Sequence, residues 1–218
     1  MIHKSYWGFI LLILSLAFTS ACGVFGIRNA EEAKYSVIAK DRAIEIRRYE
    51  PHIVAKTQVR GSYRDTQGKA FRILAGYIFG KNVSREKISM TAPVLQNPET
   101  PGKKIAMTAP VVQKRGDNDS WIMTFTMPAK YRMQDLPKPL DDRVTLEELP
   151  EKYVATIRYT GLLTEENNAD HIAQLQEWLE QHKEYKAIAA PKIAGYDPPW
   201  TLPFLRRNEI WIEMAPVP

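Results

Sequence analysis

The chain has 218 residues and only one cysteine, Cys22, so it forms no disulfide bond within itself. The sequence also lacks common enzyme motifs, including the Gly-x-Ser-x-Gly turn, the His-Glu-x-x-His motif and the glycine-rich phosphate loop. Its formal net charge is a modest +5, and the basic residues are scattered or paired rather than gathered in a block. Because a nucleic-acid surface needs clustered positive charge, we expect neither nucleic-acid binding nor familiar enzyme chemistry.

Long apolar runs are equally scarce, and the one that stands out is the 12-residue run Trp7–Phe18. It is too short to span a bilayer comfortably, but it is typical of the apolar region of a secretory signal. We therefore predict a signal peptide over residues 1–21, a short tether over residues 22–33 and a folded body over residues 34–218.

The end of this predicted signal carries the cysteine. Thr19-Ser-Ala-Cys22 resembles the lipobox of bacterial lipoproteins, although Thr19 replaces the usual leucine. The resemblance implies a diacylglycerol thioether and an N-acyl chain such as palmitate on Cys22, which together anchor a protein stably. Gly23, where an aspartate would retain the protein in the inner membrane, favours the outer membrane, facing the periplasm. A plain cleaved signal with an incidental cysteine is the alternative.

A short phrase occurs twice in the middle of the chain. Ile88-Ser-Met-Thr-Ala-Pro-Val94 and Ile105-Ala-Met-Thr-Ala-Pro-Val111 are separated by the turn-forming run Asn97–Gly102. This pattern predicts a pair of neighbouring strands. A proline within each strand lacks an N–H, so each proline is expected at an edge, a bulge or a strand end.

Hydrophobic periodicity predicts strands at Ile44–Arg48, Ile53–Val59 and Trp121–Met127. It predicts one helix that starts near Asp65 as N-cap and runs through Ile78. A second helix is predicted after Asn167 or Asn168, with apolar residues at helical spacing. These are Ile172, Leu175 and Leu179.

The two halves of the chain resemble each other at an offset of 100 residues. Val54-Ala55 followed by Gly61 matches Val154-Ala155 followed by Gly161, and each Gly precedes a predicted helix. An internal duplication explains this match, with repeats over about 34–130 and 140–214. We therefore predict an α+β fold in which a duplicated β-β-α-β unit forms a distorted antiparallel barrel or curved sheet with two outer helices.

Several motifs together resemble the SOUL, or haem-binding protein, family over about residues 34–213. They are Tyr49-Glu-Pro51, Gly80-Lys-Asn82, both Met-Thr-Ala-Pro-Val copies, Met127-Pro128, Ala194-Gly-Tyr-Asp-Pro-Pro-Trp200 and Arg206-Arg-Asn-Glu-Ile-Trp-Ile212. The resemblance implies a distorted β-barrel with two helices, distantly related to gyrase-inhibitor-like ligand-binding domains. It also implies that haem or another tetrapyrrole is the ligand.

An axial iron ligand is not specified by the sequence. Some relatives carry a His near the Tyr-Glu-Pro motif, but Arg48 directly precedes that motif here, and His52 follows it as a weak candidate or a solvated turn residue. Met90 and Met107 could supply sulfur, although methionine in a strand more often belongs to the core. His171 and His182 lie about three turns apart on the second predicted helix, about 16 Å, too far to share a metal.

The first helix offers a candidate haem surface. Lys69 and Arg72 could meet the propionates beside the apolar Ala75 and Phe79, and the alternative is a solvated helix face. We therefore expect a non-catalytic haem-binding protein attached to the bacterial envelope.

Two other functions remain open. One is an envelope interaction or structural lipoprotein that binds no haem, and the other is a hydrolase that uses the cleft between the repeats. Glu209 and Glu213 share a strand face, where a carboxylate could bind a cation or act as a base. A salt bridge to Arg206 or Arg207 is the alternative.

Overall fold

The computed structural model describes residues 30–83 and 102–216. The predicted signal, Cys22 and the first Met-Thr-Ala-Pro-Val copy, including Met90, lie outside these residues. Within the described part of the chain, no helix is both long enough and apolar enough to cross a membrane.

The described residues contain two long helices, α1 at Tyr63–Ile78 and α2 at Glu165–Gln181. Two 3-10 helices lie at Met133–Asp135 and Pro203–Leu205. The strands are β1 Glu31–Glu32, β2 Tyr35–Asp41, β3 Ile44–Tyr49, β4 His52–Arg60, β5 Asn82–Val83, β6 Thr108–Ala109, β7 Val111–Arg115, β8 Ser120–Thr126, β9 Lys138–Pro139, β10 Thr145–Leu149, β11 Lys152–Tyr159, β12 Lys192–Gly195 and β13 Asn208–Met214.

Nine strands form one antiparallel sheet in the order β10-β4-β8-β7-β12-β13-β11-β3-β2. Six strand spacings separate β3 from β4, which would be about 29 Å in a flat sheet. Yet Tyr49 and His52 are three residues apart, so the chain between them spans at most about 11 Å. The end of β10 at Leu149 and the start of β11 at Lys152 are also only three residues apart. The sheet must therefore curl into a half-barrel.

The half-barrel has an approximate two-fold symmetry that follows the sequence repeat. Elements β3, β4 and α1 recur as β10, β11 and α2, and the first strand of each unit pairs with the second strand of the other. Tyr49 pairs with Lys152 and His52 with Leu149, so an offset of 100 residues converts one pair into the other. The predicted α+β class, the repeated β-β-α-β unit and the two helices are thus confirmed.

The helices cover the outer face of the sheet, because alternate strand residues on that face are apolar. Beneath α1, Leu74 and Tyr77 pack with Ala55 and Phe125. Beneath α2, the corresponding cluster contains Leu175, Leu179, Ala155 and Ile210. Both clusters exclude water from one face, so any cleft of the sheet itself must open at its ends or on its inner face.

Both helices begin earlier than the sequence predicted. Ser62 is the N-cap of α1, and its hydroxyl oxygen accepts from the backbone N–H of Asp65, which lies inside the helix. Thr164 caps α2 in the same way, accepting from Asn167. Asn168 is instead buried, where its amide joins the hydroxyl groups of two tyrosines, Tyr63 and Tyr159. A Ser or Thr three residues before the expected cap satisfies the same free N–H groups.

The described structure bears on two further predictions from the sequence, the position of Pro110 and the extent of the tether. Pro110 lies between β6 and β7, joined to Ala109 by a cis peptide bond, so the expected strand end is confirmed for the second copy of the motif. The predicted tether is too long, because Glu31–Glu32 pairs in parallel with Thr108–Ala109 and Ala33 is buried. The remaining domain boundaries stay predictions.

Candidate ligand-binding site

A cleft of about 660 Å³ opens at the end of the half-barrel where the β3–β4 and β10–β11 turns meet. We call it the end cleft. Three segments line it: Glu31–Lys34, Glu50–Ile53 and Thr126–Gln134, together with Glu148 from β10. The tight turn after β3 places His52 in this wall.

His52 is held in one tautomer by the turn itself. Its Nδ1 lies 2.8 Å from the backbone carbonyl oxygen of Glu50. Because a carbonyl oxygen only accepts, Nδ1 must carry the hydrogen, and in the neutral ring Nε2 keeps its lone pair. Burial lowers the pKa of His52 and Lys152 lowers it further, although the Glu50 carbonyl opposes the shift. The imidazole is therefore neutral at pH 7, the state in which histidine binds metal ions.

About half of the residues that line the end cleft are apolar or aromatic, and the others are polar or charged. Its apolar and aromatic wall consists of Ala33, Pro51, Ile53, Met127, Pro128, Ala129, Tyr131 and Met133. Lys34 and Arg132 add positive charge at this wall, and Arg132 also pairs with Asp135 at 2.9 Å. The lining also contains four glutamates, Glu31, Glu32, Glu50 and Glu148, and the carboxylate of Glu32 is paired with Arg207 at 2.9 Å. The end cleft thus combines an apolar wall with charged groups of both signs.

A second cleft, of about 450 Å³, runs between α1 and the far end of β4. We call it the helix cleft. Lys69 and Arg72 line it as the sequence suggested, and Arg60, Lys81 and Arg143 bring three more cations. Arg143 is bound to Asp141 through two bonds of 2.9 and 2.7 Å, and this interaction lowers the pKa of Asp141 to about 2.

The other two predicted helix residues lie apart from this cleft. Ala75 and Phe79 are not in its lining, and the Phe79 side chain is 59% exposed. At about 100° per residue, Ala75 points about 120° away from Lys69 around the helix axis. The only apolar side chains in the lining are Val59 and Ile73. The helix cleft therefore suits an anionic group better than a flat apolar ring.

The remaining candidate ligands do not gather around one point. Met107 is 39% exposed, so the expectation that it belongs to the core is wrong. His171 stacks on Tyr159, whereas His182 stacks on Trp178 and is the C-cap rather than a member of α2. Among the described residues, no group of three or more His, Cys, Asp or Glu side chains could hold a metal ion.

The carboxylate of Glu209 is buried at 0% exposure on the inner face of the sheet. Arg47 donates to both of its oxygens at 2.8 and 3.1 Å, Arg207 donates at 2.9 Å, and Tyr196 and Trp211 donate at 2.6 and 2.8 Å. Burial alone would raise the pKa of Glu209, but the two arginines hold it below its usual value. The salt-bridge alternative is therefore confirmed for Arg207, and this carboxylate has no free oxygen for a base.

Comparison with known proteins identifies the family. The model of the SOUL heme-binding protein family matches residues 30–213. The chain belongs to this family. Heme-binding protein 2 of Homo sapiens is 28% identical over 169 residues, covering 77% of this chain and 76% of the relative. The protein of the same name from Mus musculus matches to the same extent.

Two solved structures share the fold of this chain. The C-terminal domain of EcmrR superposes with a TM-score of 0.53 at 12% identity, covering 84% of this chain and 99% of that domain. A hydrolase from Listeria innocua superposes with a TM-score of 0.52 at 12% identity, covering 82% of this chain and 94% of that one. At this identity the likeness shows the fold alone.

Sequence reasoning missed part of what this SOUL-family chain places on its inner face. Glu45 and Arg47 alternate with Ile44 and Ile46 in β3. This alternation predicts a half-buried strand but no buried ion pair. Arg47 is nevertheless buried, because it pairs with the buried carboxylate of Glu209. The alternation in β3 could not reveal this partner, which lies 162 residues away in the sequence. A charged pair on the face opposite Ile44 and Ile46 was the available signal, but it does not identify a distant partner.

Proposed function

We propose that this chain is a non-catalytic haem- or tetrapyrrole-binding protein, attached to the bacterial envelope by a lipid on Cys22. Membership of the SOUL family supports the ligand class, and so does the name of its relatives, Heme-binding protein 2. The observation that carries the assignment of the site is His52, a neutral imidazole of fixed tautomer in the wall of the end cleft.

The residues of the end cleft fit a haem group. Its volume of about 660 Å³ lies within the usual range of about 300–1,000 Å³ for cofactor sites. Haem would supply an iron ion that binds a neutral imidazole, and His52 would hold it through Nε2. The bond from Nδ1 to Glu50 would orient the ring, as such bonds do for metal-ligating histidines. Lys34 and Arg132 would contact the propionates, and Met127 and Met133 would pack on the porphyrin.

The assignment of the site is tested by comparing His52→Ala with His171→Ala in haemin titrations. His171 is a matched control, because its Nδ1 also contacts a backbone carbonyl oxygen, that of Asn167 at 2.7 Å. We expect the shifted Soret band to disappear in His52→Ala and to persist in His171→Ala. An unchanged Soret band in His52→Ala would exclude this histidine as the ligand.

The helix cleft is a second candidate site for the same ligand, favoured by its five cations. If the propionates bind there, the double variant Lys69→Gln/Arg72→Gln loses most of its haemin affinity. If the end cleft is the site, this variant binds haemin as the wild type does. Phe79→Ser tests whether the exposed ring beyond the cleft takes part.

The lipid anchor rests on the Thr19-Ser-Ala-Cys22 pattern alone. Metabolic labelling with radioactive palmitate in a bacterial host tests it. The wild type is expected to be labelled and to fractionate with the outer membrane, and Cys22→Ser is expected to lose the label. Absence of label on the wild type would contradict the lipoprotein assignment without affecting the haem site.

Binding is favoured over hydrolysis by the chemistry of the inner face. A general base needs an oxygen that can take a proton from the substrate. The buried carboxylate of Glu209 already accepts from four side chains, and Glu213 accepts from two lysines. These bonds stabilise the ionised form of both carboxylates and so make them poor proton acceptors.

A further inference from the structure

The inner face of the half-barrel holds a narrow cavity of about 110 Å³, which shares His52 and Thr126 with the end cleft. We call it the inner groove. Strands from both repeats line it, and four of its side chains are lysines. These are Lys56 on β4, Lys114 on β7, Lys152 on β11 and Lys192 on β12. We propose that the inner groove binds a short-chain organic carboxylate.

Positive charge in the inner groove exceeds negative charge. Lys56 pairs with Glu147, whereas Lys152 and Lys192 share the single carboxylate of Glu213 at 3.1 and 2.5 Å. Lys114 forms no ion pair within the described ranges 30–83 and 102–216. Four ammonium groups thus face two carboxylates.

This excess charge is partly removed from water. The side chains of Lys152 and Lys192 are only 16% and 13% exposed. Burial lowers the pKa of Lys152, and the neighbouring Lys192 and Lys114 lower it further, against the attraction of Glu213. Repulsion between half-buried ammonium groups costs free energy that a bound anion would offset.

The adjacent buried ion network cannot supply the missing negative charge. It contains three cations, Lys40, Arg47 and Arg207, and three carboxylates, Glu32, Glu45 and Glu209. These groups pair among themselves, so the network is balanced. The network therefore leaves the excess positive charge of the lysines uncompensated.

The size and the apolar wall of the inner groove restrict the ligand. A volume of about 110 Å³ corresponds to about four water molecules at about 30 Å³ each, far too little for a porphyrin. Beside the lysines lie five apolar or aromatic side chains: Val54, Val112, Ile122, Leu149 and Trp211. An anionic head group would pair with the lysines, and a short apolar tail would pack on the apolar side chains. A bare inorganic anion would make only the first of these contacts.

The proposal is tested by titrating the protein, residues 23–218, with sodium butyrate at constant ionic strength, followed by amide chemical shifts. Butylammonium chloride carries the same tail with the opposite charge, and phosphate carries charge without a tail. We expect saturable shifts at residues of the inner groove with butyrate only. Absence of saturation, or equal responses to butyrate and butylammonium, would overturn the proposal.

Variants separate the inner groove from general surface charge. Lys192→Gln and the more exposed Lys114→Gln each remove one ammonium group, and we expect each to weaken butyrate binding by about tenfold. Lys69→Gln, in the helix cleft, is the matched control and is expected to leave affinity unchanged. Glu213→Gln increases the excess positive charge and is expected to strengthen binding by about threefold or more. Equal affinities in Lys114→Gln, Glu213→Gln and the wild type would contradict the proposal.

Discussion

The imidazole Nδ1 of His52 and the backbone carbonyl oxygen of Glu50 are joined by a hydrogen bond of 2.8 Å. The bond closes the turn between β3 and β4, which the curl of the sheet places at the mouth of the end cleft. One local contact therefore fixes the tautomer of the ring, and the overall topology brings that ring to the end cleft. The haem-binding proposal depends on both.

The ion network on the inner face predicts a large stability effect for one conservative change. Glu209→Gln keeps the shape of the side chain but leaves Arg47 and Arg207 without their shared buried carboxylate. Breaking a buried pair in this way costs about 3–5 kcal/mol of the free energy of unfolding. Urea denaturation measures it, with the exposed Glu148→Gln as a control expected within about 0.5 kcal/mol of the wild type. Equal losses in both variants would contradict the structural role of Glu209.

Acid should destabilise the protein through the same carboxylates. The folded-state pKa values of Glu209 and Glu213 lie below their usual 4.5, because neighbouring cations outweigh the effect of burial. Groups with a lowered pKa contribute stability above their unfolded pKa, and that stability is lost as pH falls through the folded value. We therefore expect the free energy of unfolding to fall moderately below about pH 6.5, because the lowered pKa of His52 favours protonation in the unfolded chain, and to fall steeply below about 4.5. In Glu209→Gln the fall should be shallower; an identical slope would show that this carboxylate is not responsible.

The observed helix caps give a third prediction. Ser62→Ala and Thr164→Ala each remove the side-chain acceptor at the start of a helix. Each change is expected to lower the free energy of unfolding by about 1 kcal/mol. Asp65→Ala, at the position first expected to cap α1, removes a helix-dipole contact and the acceptor for the Ser62 hydroxyl. Because both contacts of Asp65 are exposed to solvent, this change should lower the free energy of unfolding by less, about 0.3–1 kcal/mol. A larger loss in Asp65→Ala than in Ser62→Ala would contradict the assigned cap.

The sequence predicted the fold well because its strongest signals are local or repeated. Alternation in Ile44–Arg48 and the recurrence of Val54-Ala55 at Val154-Ala155 both survive in the sheet, where they mark equivalent strands. The caps were misplaced because several polar residues precede each helix, and only backbone geometry selects among them.

The site was predicted less completely than the fold. Lys69 and Arg72 do line a cleft, but Ala75 and Phe79 do not, since Ala75 points about 120° away from Lys69 and Phe79 lies at the end of α1. Lys56 and Lys152 meet in the inner groove although they are 96 residues apart in the chain. No local sequence pattern predicts that these two lysines lie close together, because their proximity depends on the curl of the whole sheet.

A pH titration of the haemin complex tests the state of His52. A proton on Nε2 competes with iron for the same lone pair. Because burial lowers the pKa of His52 below 6.5, the axial bond should persist at pH 6.5 and be lost only at lower pH. The Soret band of the wild-type complex follows this change. A midpoint above pH 6.5 would contradict a buried neutral imidazole.

The central claim is that the folded body binds one haem group at a defined site. The most direct measurement is a haemin titration of residues 23–218 at pH 7, followed by Soret absorbance and tryptophan quenching. The account predicts saturation at one equivalent, with a shifted Soret band that His52→Ala abolishes. A linear, non-saturating response like that of buffer alone would contradict it, and an envelope protein without haem would then be the better account.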